Sequence, residues 1–207
     1  MLFRSTAAEW AKRPIDYHTG YTLLPGKYTI KVLARDDVTG TLGTFQTSFI
    51  IPNLNKETKR VPISSVVLSS QRAPASEALF NASKGKEQAK ETAADPLVQN
   101  GVRLVPSVTR VFSRTRSLYV YLQAYEETET PAPLIAFVTF YQGQTKVMET
   151  QPQEVSPLPN SRLETVPLSF TVDLATLQPG KYDCQVTVLD PTGQKSNYWQ
   201  APIIVVQ

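Results

Sequence analysis

The residues best suited to chemistry are few in this chain and far apart in sequence. His18 is the only histidine and Cys184 is the only cysteine among 207 residues. A Ser-His-Asp site or a zinc site needs several such groups together, and no histidine lies near Cys184 in sequence to activate its thiol. We therefore predict no enzymatic activity, no metal site and no cofactor. Cys184 is interpreted as a small buried apolar residue, with a reactive thiol as the alternative.

Two sets of charged residues could bind ions. Three aspartates at two similar turns could offer carboxylate oxygens to Ca²⁺, but that ion prefers about 6 to 8 oxygen ligands, so we interpret them as solvated turn residues. Four arginines could form either a phosphate groove or an exposed edge or loop, and the second interpretation is the simpler one. With a formal net charge of only +3, the chain is predicted not to bind nucleic acid. The residues concerned are Asp36, Asp37 and Asp190, and Arg103, Arg110, Arg114 and Arg116.

A run of tyrosines forms the candidate binding surface. From Ser117 to Tyr125, aliphatic residues alternate with Tyr119, Tyr121 and Tyr125, which predicts a strand with an aliphatic inner face and an aromatic outer face. A neighbouring strand or the chain between two modules could cover these rings. They could instead contact another protein or module, or they could form a platform for a carbohydrate.

The elements that would carry these residues are repeated along the chain. The sequence Leu-x-Pro-Gly-Lys-Tyr occurs at residues 23–28 and again at residues 177–182, followed each time by alternating apolar residues, a Thr-Gly turn and a second strand. Repeated strand-turn-strand units predict β-sandwich modules in series. Tyr182 and Cys184 follow a Pro-Gly corner with the spacing of the immunoglobulin tyrosine corner. We therefore assign structural roles to five residues of the two copies, namely Gly26, Tyr28, Gly180, Tyr182 and Cys184.

The predicted fold is all-β, with an immunoglobulin-like sandwich at residues 101–207. Residues 14–70 are predicted to form a partial, truncated module of the same type, and residues 71–100, which are poor in large apolar residues, a flexible linker or loop. Residues 1–13 are predicted to be a non-native or disordered start, since Leu2-Phe3-Arg4-Ser5 is what a common sequencing adapter encodes in one frame. No apolar run approaches the roughly 18 residues of a membrane helix, and Met1 is not followed by the apolar region of a signal peptide.

An ordered series of short motifs resembles a known family. The series includes Leu24-Pro25-Gly26-Lys27-Tyr28, Asp37-Val38-Thr39-Gly40, Ile51-Pro52-Asn53-Leu54, and Leu104 to Phe112. It is similar to the C-terminal region of the von Willebrand factor A-related proteins of Acidobacteria. The resemblance implies a protein that is secreted, periplasmic or at the cell surface, in which an A domain precedes β-sandwich modules. The adhesion motif of that A domain, Asp-x-Ser-x-Ser, does not occur in this sequence.

The sequence thus predicts a structural or protein-interaction module, in keeping with an adhesion protein. Its partners would be other modules of the same polypeptide or another protein, with no insertion of this segment into a membrane. A carbohydrate-binding module is the alternative. The two functions differ in whether the tyrosines are covered or open to solvent.

Overall fold

The computed structural model describes residues 23–74, 95–125, 133–156 and 165–207. In the first range the strands are β1 (Gly26–Arg35), β2 (Leu42–Ile51), β3 (Val67–Ser69) and β4 (Gln71–Pro74), with a 3₁₀ turn at Leu54–Lys56. In the second they are β5 (Val98–Gln99), β6 (Val102–Val105), β7 (Val111–Ser113) and β8 (Ser117–Tyr125). The others are β9 (Leu134–Gln142), β10 (Thr145–Glu149), β11 (Gln153–Val155), β12 (Thr165–Asp173), β13 (Gly180–Asp190) and β14 (Lys195–Val206). No helix in these ranges is long and apolar enough to cross a membrane.

Two sheets pack face to face to form a sandwich. The large sheet has the order β10-β9-β13-β14-β7, with β11 also paired to β9, and the opposing sheet has the order β12-β8-β3. All pairs are antiparallel except β7 with β14, which is parallel. Strands β3, β8 and β12 thus face β9, β13 and β14, as strands A, B and E of an immunoglobulin domain face C, F and G. The predicted all-β sandwich is confirmed.

Strict alternation of apolar residues builds the core between these sheets. In β12 the inward residues are Val166, Leu168, Phe170 and Val172, each at most 2% exposed, and they meet the inward residues of β8, β9, β13 and β14 in one cluster. The residues between them point outward, so inward and outward side chains alternate as in a half-buried strand. The side chain of Asp173 ends β12 by accepting a hydrogen bond from the amide of Ala175 at 2.9 Å.

The domain boundaries differ from the predicted ones. Residues 61–69, which are part of the predicted first module, belong to the sandwich. Val61 lies in its core, Ile63 bridges to Ala124, and β3 pairs with β8. The assignment failed because strand membership depends on a partner more than fifty residues away, which local pattern does not reveal.

The predicted linker is also ordered at both of its ends. Strands β4, β5 and β6 form a separate three-stranded sheet, called the small sheet here, with the order β4-β6-β5. Strands β6 and β7 are neighbours in sequence but belong to different sheets, β6 to the small sheet and β7 to the large one. Residues 75–94 of the predicted linker, and residues 1–22, which include the predicted non-native start and His18, lie outside the described residues.

The first copy of the repeat is a two-stranded hairpin. Strands β1 and β2 pair along their whole length, from Gly26 opposite Ile51 to Arg35 opposite Leu42. Neither strand pairs with any other strand in the described ranges. The second copy, β13 with β14, has the same form but lies inside the large sheet.

Candidate interaction surfaces

Two of the three aspartates considered for Ca²⁺, Asp36 and Asp190, hydrogen-bond within their own turns. The carboxylate of Asp36 accepts hydrogen bonds from the amide of Val38 and the hydroxyl of Thr39, both at 2.8 Å. These bonds, that of Thr39 above all, hold the pKa of Asp36 below its usual value. Asp190 accepts from the amide of Gly193 at 2.8 Å, at the tip of the other hairpin. In the described ranges no three histidine, cysteine, aspartate or glutamate side chains lie close enough to hold a metal ion.

The four arginines do not form one surface. Arg103 is only 4% exposed, and its Nε lies 2.7 Å from Oδ2 of Asp95. The prediction that Arg103 is exposed is therefore wrong. A buried guanidinium requires a carboxylate partner, and the sequence alone did not identify Asp95 as that partner. Arg110 lies over the ring of Trp199 at 5.9 Å. Arg114 and Arg116 lie in the turn between β7 and β8, where the guanidinium of Arg114 donates to the carbonyl of Ala175.

The small sheet covers the tyrosine face of β8. Tyr121 is only 4% exposed, while Tyr119 and Tyr125 are partly buried. The guanidinium of Arg72, on β4, lies 3.9 Å from the centre of the Tyr119 ring, which is within the range of a cation–π interaction. Burial raises the pKa of the Tyr121 hydroxyl, an effect that hydrogen bonding to Gln123 and Gln99 partly offsets. Of the three interpretations of this face, coverage by the chain between the modules is the one that the burial favours.

Tyrosine corners are present in both copies of the repeat. The hydroxyl of Tyr182 donates to the carbonyl of Gln178 at 2.7 Å, and the hydroxyl of Tyr28 donates to the carbonyl of Leu24 at 2.8 Å. Each bond spans four residues and fixes the direction in which the chain enters the hairpin. Neither Gly26 nor Gly180 has a positive φ. An added Cβ would only be in ordinary contact with the tyrosine ring, at 3.5 Å and 3.7 Å respectively.

Cys184 lies in the core of the sandwich on β13. It is 0% exposed, and burial raises its pKa to about 12. A thiol with so high a pKa is almost wholly protonated near neutral pH, and the thiolate is the nucleophile. This environment supports the interpretation of Cys184 as a packing residue.

An exposed apolar face lies on the hairpin of β1 and β2. The sequence did not indicate it as a binding surface. Phe45 is 65% exposed, Val32 is 47% exposed and Phe49 is 39% exposed. Tyr28 stacks on Phe49 with ring centres 5.9 Å apart, and Ile30 lies between Tyr28 and Val32 on the same strand face. We call the set Tyr28, Ile30, Val32, Phe45 and Phe49 the hairpin face.

The hairpin face has no charged residue, whereas the reverse side has three. Because strand side chains alternate, Lys27, Lys31 and Arg35 of β1 point away from the hairpin face. On the same reverse side the hydroxyls of Thr29 and Ser48 lie 3.0 Å apart. Leu33, Leu42 and Ile50 are also exposed on the reverse side, so the two sides of the hairpin differ in charge and not in whether they carry apolar residues. Alternation predicts that one face of the strand is covered, but the structure leaves this face exposed within the described ranges.

The equivalent face of the second copy is covered. Tyr182, Cys184, Val186 and Val188 of β13 are each at most 5% exposed, because β8 and β12 pack over them. The two copies therefore present the same pattern in two different environments.

Comparison of the chain with known protein families and with curated proteins found no match.

Proposed function

We propose that this chain is a non-enzymatic structural and protein-interaction module of a larger exported polypeptide of the von Willebrand factor A-related kind. The observation that carries the proposal is the exposed hairpin face. Contiguous apolar surface that is free of charge on one side of a sheet is typical of contact with another protein surface. The partner is a further β module, belonging to the same polypeptide or to another protein.

The covered tyrosines weigh against the alternative of a carbohydrate-binding module. A sugar platform requires aromatic rings that are open to solvent. Tyr121 is buried under the small sheet, and Tyr119 lies beneath Arg72. The candidate aromatic platform of β8 is thus occupied by the chain itself, which leaves the hairpin face as the surface for recognition.

Site-specific photocrosslinking tests the proposal. A benzoylphenylalanine residue replaces Phe45 on the hairpin face, and in the control it replaces Thr44, the preceding residue on the reverse side. Both proteins are produced in the organism from which the sequence comes and are irradiated there. We expect a discrete adduct with a β-rich protein or module at position 45 and none at position 44. Equal labelling at both positions, or no adduct at position 45, would refute an interaction role for this face.

A further inference from the structure

The turn between β5 and β6 contains an Asn-Gly pair. Asn100 and Gly101 have φ values of 51° and 75°, and positive φ at both central residues is typical of a two-residue type I′ hairpin turn. Both residues are exposed. In the part of the chain that the structure describes, the side-chain amide of Asn100 has no hydrogen-bond partner, and a Cβ added to Gly101 would meet nothing within 4 Å. The Asn100 side chain is therefore free to turn towards the backbone nitrogen of Gly101, which no neighbouring side chain obstructs.

This arrangement allows the two residues to react with each other. The backbone nitrogen of Gly101 attacks Cγ of Asn100, so a C–N bond forms and closes a succinimide ring. The Cγ–Nδ2 bond breaks, and the side-chain nitrogen leaves as ammonia with the proton of the Gly101 amide. Water then adds to one of the two ring carbonyls and breaks the bond from that carbonyl to the ring nitrogen, which takes up a proton from the water. Opening at Cγ gives aspartate, whereas opening at the backbone carbonyl gives isoaspartate, in which the main chain continues through the side-chain carbonyl.

An isoaspartate at this position alters the hairpin that the turn connects. It adds one methylene group to the main chain, and a two-residue turn fixes the register of its two strands. Strand β5 pairs with β6 at only two positions, Val98 opposite Arg103 and Gln99 opposite Val102. Because this ladder is so short, a change of register at the turn removes the pairing of β5 altogether.

The pairing of β5 with β6 supports the cover of the tyrosine face. The side chain of Gln99 hydrogen-bonds to the hydroxyl of Tyr121, which is only 4% exposed. On β6, Nε of Arg103 lies 2.7 Å from Oδ2 of Asp95, which precedes β5. Loss of the β5–β6 pairing therefore loosens the cover of Tyr121 and separates Arg103 from its carboxylate partner.

We propose that Asn100 is a site of spontaneous deamidation through a succinimide, and that isoaspartate at this site releases the small sheet from the tyrosine face of β8. The inference goes beyond the interaction role of the hairpin face and does not depend on it, because the two surfaces share no residue. The reaction needs no reagent other than water, so the modified form accumulates with the age of the protein. The cover of Tyr121 is thus lost with time.

Incubation of the full chain in neutral buffer, followed by peptide mapping with mass spectrometry, tests the reaction. We expect isoaspartate and aspartate to accumulate at residue 100. Two internal controls should remain amides: Asn197, which precedes a tyrosine and whose Nδ2 donates to the carbonyl of Val61 at 2.9 Å, and Gln142, which precedes a glycine but has a longer side chain. The same chain unfolded in urea shows how fast residue 100 reacts without the turn. Reaction in urea with none in the native chain over the same time would mean that the turn protects Asn100, and it would overturn the proposal.

The effect on the small sheet is measured on the isoaspartyl form after its separation by chromatography. Freshly prepared Asn100→Asp is the matched control, since it carries the same new charge on an unaltered main chain. We expect hydrogen exchange of the β6 amides and hydroxyl-radical oxidation of Tyr121 to rise several-fold in the isoaspartyl form. Oxidation of Phe140, which is 0% exposed in the sandwich core, should not change, and Asn100→Asp should behave as the unmodified chain does.

Three results would overturn the link between this modification and the cover. They are unchanged exchange and oxidation in the isoaspartyl form, an equal rise in Asn100→Asp, and faster oxidation of Phe140, which would indicate loss of the whole sandwich. None of them bears on the crosslinking test, because the hairpin face lies on β1 and β2.

Discussion

The two tyrosine corners allow burial to be separated from hydrogen bonding within one protein. Both hydroxyls donate to a carbonyl four residues earlier, at 2.7 Å for Tyr182 and 2.8 Å for Tyr28. Tyr182 is 5% exposed, and it packs in the core, whereas the bond of Tyr28 lies in an exposed part of the chain. Replacing each tyrosine with phenylalanine removes the same bond in two environments.

The free-energy cost of each substitution depends on whether water can bind the carbonyl that loses its hydrogen bond. Stranding a buried acceptor costs about 1 to 3 kcal/mol, but this hydrogen bond is only part-buried and Gln178 is an exposed residue. We therefore expect Tyr182→Phe to cost about 1 kcal/mol, at the lower end of that range. For a domain of this size the loss corresponds to a fall in Tm of roughly 4 °C. Tyr28→Phe should cost less than about 0.5 kcal/mol, because water replaces its bond in full.

Thermal unfolding followed by circular dichroism measures the fall in Tm of each variant. Hydrogen exchange of the β1 and β13 amides then shows which hairpin has lost stability. Tyr182→Phe should speed exchange in β13 and leave β1 unchanged. Equal losses of unfolding free energy in the two variants would show that the burial of the tyrosine does not determine the cost of removing its hydrogen bond. An unchanged Tm in Tyr182→Phe would show that its hydroxyl contributes nothing to the corner.

Three further predictions concern single sites. Because the Cys184 thiol is buried with a pKa of about 12, it should react with a disulfide reagent only on unfolding, and Cys184→Ala should cost on the order of 1 kcal/mol; rapid labelling of the native protein would contradict this. Asp95→Asn leaves Arg103 buried without its charged partner, so it should cost about 3 kcal/mol and speed exchange in β6, whereas a neutral result would mean that water reaches the guanidinium. Asp36 has a folded pKa below its ordinary 3.8, so its contribution to the turn is present above that value and is lost as pH falls through the folded pKa; Thr39→Val should raise the pKa in an NMR titration, and no shift would exclude the Thr39 hydroxyl as the cause.

Local pattern was sufficient to locate most strands of the sandwich. The strand from Ser117 to Tyr125 has the predicted bounds, and a strand follows each Pro-Gly corner as predicted, namely β1 and β13. Alternation of apolar and polar side chains is a property of neighbouring residues, so it can be read before any tertiary contact is known. The repeated corner was equally visible, because a Pro-Gly turn and a tyrosine at fixed spacing are local features.

Local sequence pattern did not predict the pairing between distant segments. Strand β3 pairs with β8, and β6 pairs with β4 and β5 in the small sheet. The small sheet then buries Tyr121 and encloses Arg103. Each of these outcomes depends on a partner many residues away, and the residue types alone fit more than one partner.

The sequence by itself determined an all-β chain with two copies of one hairpin, each with an apolar side and a corner tyrosine. Tertiary structure alone decided which copy has its apolar side covered. The residues of β13 are buried because β8 and β12 lie across them, while Val32 and Phe45 carry the same pattern without such a cover in the described ranges. Alternation specifies that a strand has an inner face, but burial requires a second surface, and only the packing of separate segments supplies one.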